Sequence, residues 1–263
     1  MLQPPFPAGF IAPCLPTKTD KLPSDGQWLH EIKHDGFRII ARKDGERVRL
    51  YSRPGNDFTR RFPLIVETLA RLRSRSCIID GEAVACDDNG VASFDLVRHH
   101  RANESICLYA FDLIELNGDD IRRDPLEVRK ATLRSMLAKA GLGLRFNEDL
   151  PGDGPTIFAH ACKMGLEGIV SKRKDSAYRS GRSPDWLKMK NPAAPAVKRE
   201  AEEDWGKGRW RLWRGRSRRG RSRREARAIC GRRSPERSRV RHPIAPAINV
   251  NWLTHARACV IFS

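Results

Sequence analysis

The sequence predicts an α+β fold of antiparallel sheets flanked by helices, followed by a disordered basic tail. Short apolar runs separated by Gly, Asp and Asn turn signals recur between residues 28 and 190 and are typical of strands. Longer runs with apolar residues three or four apart stand between them and predict helices. Helices inserted among many short strands favour an α+β architecture. From residue 206 onward this periodicity stops.

The first half of the folded part is predicted to contain a hairpin, a helix and two further strands. Lys43-Asp44-Gly45-Glu46 separates two alternating runs and is a hairpin signal. Pro63 stands at the favoured first position of an amphipathic helix that runs to Leu72. The strands predicted here are residues 37–42, 47–52, 77–80 and 83–86.

The second half repeats this alternation of strands and helices. Ser93 is predicted as the N-cap of a short helix that ends near His99. Pro125 and Pro155 are expected to open two longer helices. The remaining predictions are turns at 87–90 and 117–120, strands at 106–112, 168–171 and 186–190, and helices at 125–140 and 155–164.

Charge and composition divide the chain into three parts. Residues 1–192 are predicted to be the folded domain and to begin with a Pro-rich extended arm over 1–26, and residues 193–205 are a linker. Residues 205–263 carry 17 Lys and Arg against two acids, a net charge of +15, whereas residues 1–204 are near +3. The Arg-rich tail at 206–263 has too few apolar residues to pack. It is either a nucleic-acid arm or an accident of translation in a shifted frame.

Composition also restricts the cellular setting. The seven cysteines include no Cys-x-x-Cys pair, which indicates free thiols in a reducing compartment. Prolines interrupt the N-terminal residues, and no apolar run reaches the roughly 20 residues of a membrane span. We therefore expect a soluble cytoplasmic protein without a membrane partner.

The most informative single feature is a lysine between a strand and a tight turn. Trp28–Ile32 is strand-like, and Lys33 then precedes an Asp-Gly turn signal. This placement holds an amine on a rigid edge, as a nucleophile requires. A lysine of ordinary pKa, near 10.4, is neutral in only about one molecule in a thousand at pH 7. Nearby cations would have to lower that pKa, and a strand that merely ends in a solvated turn is the plainer interpretation.

Six segments occur in an order that changes this assessment. They are Glu31-Ile-Lys-His-Asp-Gly-Phe-Arg38, Tyr51-Ser-Arg-Pro-Gly55, Ile79-Asp-Gly-Glu82, Tyr109-Ala-Phe-Asp112, Leu166-Glu-Gly-Ile-Val-Ser-Lys172 and Trp186-Leu-Lys-Met-Lys190. Together they resemble the adenylation domain of ATP-dependent DNA ligases, in the nucleotidyltransferase superfamily. The resemblance is strongest to the ligase modules of bacterial end-joining enzymes and covers about residues 5–192.

The resemblance implies an ATP-grasp-like nucleotidyltransferase fold and a three-step reaction. Lys33 would attack the α-phosphate of ATP to give lysyl-AMP, the AMP would pass to a 5′-phosphate, and a DNA nick or end would then be sealed. Lys188 and Lys190 match catalytic lysines that contact the phosphates. They stand two residues apart on one strand face, where they would stabilise phosphate charge and lower the pKa of Lys33. The alternative for both is a solvated strand edge.

The remaining site residues are also implied by the resemblance. Glu31 would accept from the adenine amino group, and Glu82 would bind the ribose hydroxyls unless it is only a turn acid. Phe111 would stack on adenine, although Tyr109, Phe111 and Leu113 also form an ordinary core stripe. A further set comprises Arg38 and Arg53 for the ribose, phosphate or DNA end, and Glu167 for Mg²⁺ or Mn²⁺.

Two alternatives to a DNA ligase remain open. Complete ligases carry an OB-fold domain, and nothing after Lys190 resembles its barrel strands, so the chain could be a nucleic-acid-binding remnant that is catalytically impaired. A related RNA ligase or GTP-using capping enzyme would share the lysine motif. The expected partners are DNA nicks or ends and an end-binding repair protein such as Ku. The expected state is a monomer in the bacterial cytosol or nucleoid.

Overall fold

Two β-sheets pack face to face in the part of the chain that the computed structural model describes, residues 9–86, 92–99 and 105–199. The turn predicted over 87–90 and the tail predicted from 206 lie outside these residues. The strands are β1 (Cys14–Lys18), β2 (Trp28–Ile32), β3 (Phe37–Asp44), β4 (Arg47–Ser52), β5 (Ser76–Val84), β6 (Cys107–Leu116), β7 (Asp119–Asp120), β8 (Leu144–Phe146), β9 (Gly168–Arg173) and β10 (Gly181–Lys190). The helices are α1 (Pro63–Ala70), α2 (Phe94–Arg98), α3 (Leu126–Leu137) and α4 (Gly154–Lys163).

The strand order explains how distant segments meet. The first sheet has the order β1-β10-β9-β2, and the second has the order β4-β3-β5-β6-β7 with β8 beside β6. Pairing is parallel between β1 and β10 and between β6 and β8, and antiparallel elsewhere. The predicted α+β class with mainly antiparallel sheets is therefore confirmed.

Three apolar layers hold the sheets and helices together. Ile40, Phe111 and Trp186 belong to the middle layer, which joins the inner faces of the two sheets. A larger layer covers the outer face of the second sheet with α1 and α3. A small layer packs α4 on the outer face of the first sheet. The end of the middle layer is where the predicted site residues gather.

Most elements lie where local signals predicted them. The hairpin forms from β3 and β4, with Gly45 at φ 59°, a left-handed conformation that glycine adopts readily. Helix α1 begins at Pro63, and α3 and α4 begin within one residue of the predicted starts. Among the described residues no helix combines the length and the apolar character needed to cross a bilayer.

The prediction of separate strands at 77–80 and 83–86 is wrong. One strand, β5, covers 77–80 and continues without a break to Val84, with Gly81 paired to Ile39 on one side and to Ala110 on the other. A Cβ on Gly81 would lie 2.8 Å from the Tyr109 carbonyl oxygen. The glycine therefore permits a close approach of β6 and does not mark a turn.

The N-terminal segment differs from the extended surface arm predicted over 1–26. Within its described part, β1 pairs in parallel with β10 and forms the edge of the first sheet. Strand β8 was not predicted at all, and its three residues pair in parallel with β6. Both pairings join segments distant in sequence, so no local signal marks them.

The N-terminus of α2 is capped by a residue from another segment. Ser93 occupies the predicted N-cap position, but its hydroxyl makes no capping hydrogen bond. The backbone N–H of Phe94 instead donates to Oδ2 of Asp35, at 3.2 Å. The turn that follows Lys33 is thereby tied to α2.

Candidate active site

Lys33 emerges at the end of β2, beside the start of β9. Its backbone N–H donates to the Gly168 carbonyl at 3.0 Å, and its Nζ lies 2.6 Å from Oε1 of Glu167. Lys190 Nζ lies 3.5 Å from the same oxygen. The Glu167 side chain is 3% exposed, against 22% for Lys33. The structure thus brings the predicted nucleophile, one predicted phosphate-binding lysine and the predicted metal ligand together.

Gly168 makes this convergence possible. Its φ is +143°, and a Cβ there would lie 2.1 Å from the Met189 carbonyl oxygen of β10. Only glycine lets the chain turn from Glu167 into β9 so close to β10. In the Glu167-Gly168 pair of the motif, Glu167 supplies the carboxylate and Gly168 supplies the backbone conformation that places it.

Glu167 has the character expected of a hard-metal ligand. Its Oε2 is buried and has no hydrogen-bond partner in the structure as described. A buried carboxylate oxygen without a donor is rare unless an ion or a ligand completes it. No cluster of three acidic, histidine or cysteine side chains occurs within the described ranges. A Mg²⁺ ion at Glu167 would therefore take most of its ligands from phosphate and water, as Mg²⁺ usually does.

Strand alternation places the other predicted lysine on the same face. Across the sheet, Val170 of β9 pairs with Lys188 of β10 and with Glu31 of β2. Two residues further along β9, Lys172 pairs with Trp186 and with Leu29. Side chains two residues apart share a face of a strand. Lys188 and Lys190 thus lie on the face of the first sheet that carries Glu31 and Lys172. The sheet presents a row of cations toward the second sheet.

Glu82 of β5 faces this row from the second sheet. Burial raises the pKa of Glu82 to about 7, although Lys33 and Arg38 lower it in part. Its carboxylate makes no hydrogen bond or ion pair with any described residue. Glu82 is half-buried, and a carboxylate without donors is suited to accept from a ligand hydroxyl; contact with ribose remains a prediction.

Replacing Glu82 by Gln should change how stability depends on pH. The pKa of Glu82 is about 4.5 in the unfolded chain and about 7 in the folded protein. As pH rises, the unfolded chain therefore loses the Glu82 proton before the folded protein does. The wild-type protein therefore loses stability between those pH values, and Glu82→Gln does not. We expect the advantage of the variant in unfolding free energy to grow from about pH 5 to about pH 8 in urea titrations without nucleotide. Glu67→Gln, at an exposed site, serves as the control, and a pH-independent advantage would contradict the assignment.

Arg38 binds groups of the protein itself. Its Nε and Nη2 donate to the two oxygens of buried Asp80 at 2.5 and 2.7 Å, and Nη2 also donates to the Cys14 carbonyl. Tyr178 donates its hydroxyl to Asp80 at 2.6 Å. These bonds join β1, β3 and β5, and the predicted contact of Arg38 with ribose, phosphate or DNA stays a prediction.

Phe111 lies in the middle layer, with 7% of its surface exposed. The register of β6 shifts opposite Asp80 and Gly81, and this bulge leaves Phe111 unpaired. Its ring lies 4.4 Å from the Arg38 guanidinium and 4.3 Å from Lys172 Nζ. The structure therefore shows the core packing that was the alternative for this residue, and adenine stacking remains a prediction.

Glu31 is the centre of a buried ionic network. Its Oε1 lies 2.6 Å from Lys130 Nζ, and its Oε2 lies 2.8 Å from Lys172 Nζ and 3.1 Å from Asn147 Nδ2. Burial alone would raise the pKa of Glu31, but Lys130 and Lys172 outweigh it and lower that pKa. A carboxylate has about four acceptor sites, so three donors leave one for a ligand such as the predicted adenine amino group.

His34 extends this network to the residue after the nucleophile. Asn147 donates its amide to Glu31, so its Oδ1 must accept, and His34 Nε2 lies 3.0 Å from it. The hydrogen on His34 therefore belongs on Nε2. Burial lowers the pKa of His34 to about 4, which keeps the ring neutral. The ring centroid lies 4.2 Å from that of Tyr109.

Sequence reasoning missed the partners of Glu31. Lys172 lies in a recognised motif, and a charged residue at an inward position of an apolar strand was a usable signal. No local signal in the sequence marked Lys130 or Asn147, because they stand 99 and 116 residues from Glu31.

Arg53 stands apart from the buried site. It is exposed in the turn after β4 and makes no ion pair or hydrogen bond with the described residues. Ser52 pairs with Ile39, so Arg53 lies at the same end of the second sheet as Glu82. It is a cation at the rim, accessible to an external anion.

Comparison with known sequences shows what this arrangement is similar to. A family model described as the ATP dependent DNA ligase domain matches residues 16–190. The multifunctional non-homologous end joining protein LigD of Pseudomonas aeruginosa is 39% identical over 185 residues, which are 69% of this chain and 22% of that protein. A DNA ligase of Natronomonas pharaonis is 33% identical over 205 residues, 73% of this chain and 37% of the relative. The chain thus spans 22% and 37% of the length of these two relatives.

Solved structures agree with the sequence matches. A mycobacterial DNA ligase D complexed with ATP and MES superposes with a TM-score of 0.61 at 35% identity, over 68% of this chain and 60% of that one. The ligase domain of Mycobacterium tuberculosis LigD gives a TM-score of 0.62 at 34% identity, over 68% and 59%. The predicted nucleotidyltransferase fold of the adenylation domain is therefore confirmed.

Proposed function

Because the chain belongs to the ATP-dependent DNA ligase family, we propose that it catalyses ATP-dependent DNA ligation through an adenylate carried on Lys33. The observation that carries this proposal is the contact of Lys33 Nζ with Glu167 Oε1 at 2.6 Å, with Lys190 Nζ 3.5 Å from the same oxygen. An amine, a buried carboxylate and a second cation at one point are what attack on a phosphate requires.

The first step forms a bond between Lys33 and AMP. The Nζ lone pair attacks the α-phosphorus of ATP, a P–N bond forms, and the P–O bond to pyrophosphate breaks. The amine must also lose a proton, and Glu167 Oε1 stands within hydrogen-bond reach of it. Lys190, and Lys188 on the same strand face, would stabilise the charge on the phosphates.

Glu167 also supports the proposed metal requirement. Its unpartnered Oε2 would hold Mg²⁺, or Mn²⁺, beside the phosphates. When bound, the ion would neutralise part of the triphosphate charge. Lys33, Lys190 and Glu82 would hold the nucleotide.

The later steps would transfer AMP to a 5′-phosphate and seal the DNA. The name of the Pseudomonas aeruginosa relative supports a role in end joining, and we extend that role to this chain as a proposal. Exposed Arg53 and the basic residues after 205, with 17 Lys and Arg, would bind the DNA backbone. We further propose a monomer in the bacterial cytosol that works with an end-binding partner such as Ku.

A labelling experiment tests the proposal directly. The full chain is incubated with Mg²⁺ and ATP or GTP labelled at the α-phosphate, and the denatured protein is examined for covalent label. We expect an acid-labile adduct from ATP and little from GTP. A preference for GTP would indicate a capping-type enzyme, and DNA binding without an adduct from either nucleotide would indicate a binding remnant.

A further inference from the structure

A short segment after β10 is fixed to the domain. It contacts the turn that carries Glu167 and the turn that follows Lys33. We call residues 191–199 the C-terminal strap. Sequence analysis predicted a linker from residue 193, but residues 195–199 are helical and Ala194 is 2% exposed. Asn191, where the strap begins, is also 2% exposed. The strap therefore belongs to the folded structure.

The first end of the strap holds the turn that carries Glu167. The Asn191 backbone N–H donates to the Glu167 carbonyl at 2.9 Å, and its side-chain Nδ2 donates to the Leu166 carbonyl at 3.0 Å. Its Oδ1 accepts from the Ala193 N–H at 3.0 Å. Asn191 thus links the start of the strap to the backbone beside the ion-pair partner of Lys33.

The other end holds the turn that carries Lys33. Arg199 Nη2 lies 2.8 Å from Oδ1 and 2.9 Å from Oδ2 of Asp35, which also accepts from the N–H of Phe94. The guanidinium stacks on Phe94 at 4.9 Å. The two side chains of the ion pair are 24% and 15% exposed, so solvent screens them only in part. Asp35 is fixed between the strap and α2.

The opposite side of this turn rests on backbone. A Cβ on Gly36 would lie 2.2 Å from the Ala83 carbonyl oxygen of β5. The turn between β2 and β3 is therefore confined by β5 on one side and by Arg199 on the other. Lys33 stands two residues before Asp35, so movement of Asp35 would be transmitted to the direction of Nζ.

We propose that Arg199 is a positioning residue for the formation of lysyl-AMP, acting through Asp35, an inference that rests on the proposed function. Attack on the α-phosphorus needs Nζ in line with the leaving pyrophosphate, and a displacement of about 1 Å can cost about 100-fold in rate. Arg199 binds both carboxylate oxygens of Asp35, two residues after Lys33, so we infer that its effect is on the alignment of Nζ.

The test measures single-turnover adduct formation by the full chain at several ATP concentrations. Arg199→Ala should lower the rate constant at saturating ATP by about 10-fold or more, with half-saturation changed by less than about twofold. The control is Arg122→Ala, which removes an exposed pair with Asp120 at the far end of the second sheet and should leave the rate unchanged. Melting temperatures of both variants are recorded.

A second variant shows whether Arg199 works through Asp35. Residues that act as a unit give non-additive effects, so Arg199→Ala should add little in an Asp35→Asn background. An equal loss in both backgrounds, or a wild-type rate in Arg199→Ala, would overturn the inference. So would a loss that disappears when the variant is assayed well below its melting temperature, because the role would then be structural. If the wild-type chain forms no adduct, the proposed function fails instead.

Discussion

Lys33→Ala should abolish the covalent AMP adduct, by at least about 1,000-fold in rate. The variant lacks the atom that forms the P–N bond, and a neighbouring lysine can replace it poorly because Lys190 and Lys188 are fixed on β10. The measurement is label retained on denatured protein after incubation with α-labelled ATP and Mg²⁺. Lys139→Ala, an exposed lysine after α3, is the control and should label normally.

Lys33→Arg separates the chemistry from the ion pair. Removal of Lys33 leaves buried Glu167 with only Lys190, 3.5 Å away among the described contacts, and should therefore also lower stability. Arginine keeps a cation beside Glu167 but remains protonated and cannot act as a nucleophile. We expect Lys33→Arg to melt close to the wild type and to form no adduct. An acid-labile adduct on either variant would mean that another residue is the nucleophile.

The sequence was most informative where a local rule sufficed. Pro63 at the start of α1 and Gly45 in the β3–β4 turn act within one or two residues, so their elements were predicted correctly. Gly81 led to a wrong prediction, because glycine marks either a turn or a close backbone approach and only the packing of β6 decides between them. Strand β1 had no local signal, since its partner in β10 lies more than 160 residues away.

The candidate site shows the same division. Lys33, Glu167 and Lys190 could be named from motifs, and the fold brings them together. The contacts of two other site residues could not be predicted from the sequence. Arg38 binds Asp80, and Phe111 lies at a bulge of β6 and packs in the middle layer. The motifs predict which side chains belong to the site, whereas the charged partners of those side chains come from distant segments and have no local signal.

The largest effect on stability should come from Arg129→Met, in a buried ion pair that anchors α3 to β6. Arg129 Nε and Nη2 donate to the two oxygens of Asp112 at 2.8 and 2.9 Å, and both side chains are fully buried. Arg129 also donates to the Ser176 carbonyl at 2.9 Å. Removing one partner leaves an uncompensated charge, so the unfolding free energy should fall by about 3–5 kcal/mol in urea titrations.

The control and a double variant make this result specific. Arg122→Met breaks the exposed pair with Asp120 and should cost less than about 1 kcal/mol. Asp112→Asn with Arg129→Met removes both charges, so its cost should be smaller than the sum of the two single variants. A cost for Arg129→Met no greater than that for Arg122→Met would contradict the assignment.

Arg129→Met should also weaken nucleotide binding at the site, because Lys130 follows Arg129 directly on α3. Arg129 fixes the helix against β6 and thereby holds Lys130 in place. Lys130 Nζ in turn lies 2.6 Å from Oε1 of Glu31. Loss of the anchor should therefore loosen the Glu31 network as well as the core. We expect Arg129→Met, assayed well below its melting temperature, to bind ATP more weakly than the wild type while Arg122→Met binds normally. Unchanged ATP affinity would show that the Glu31 network is positioned without Arg129.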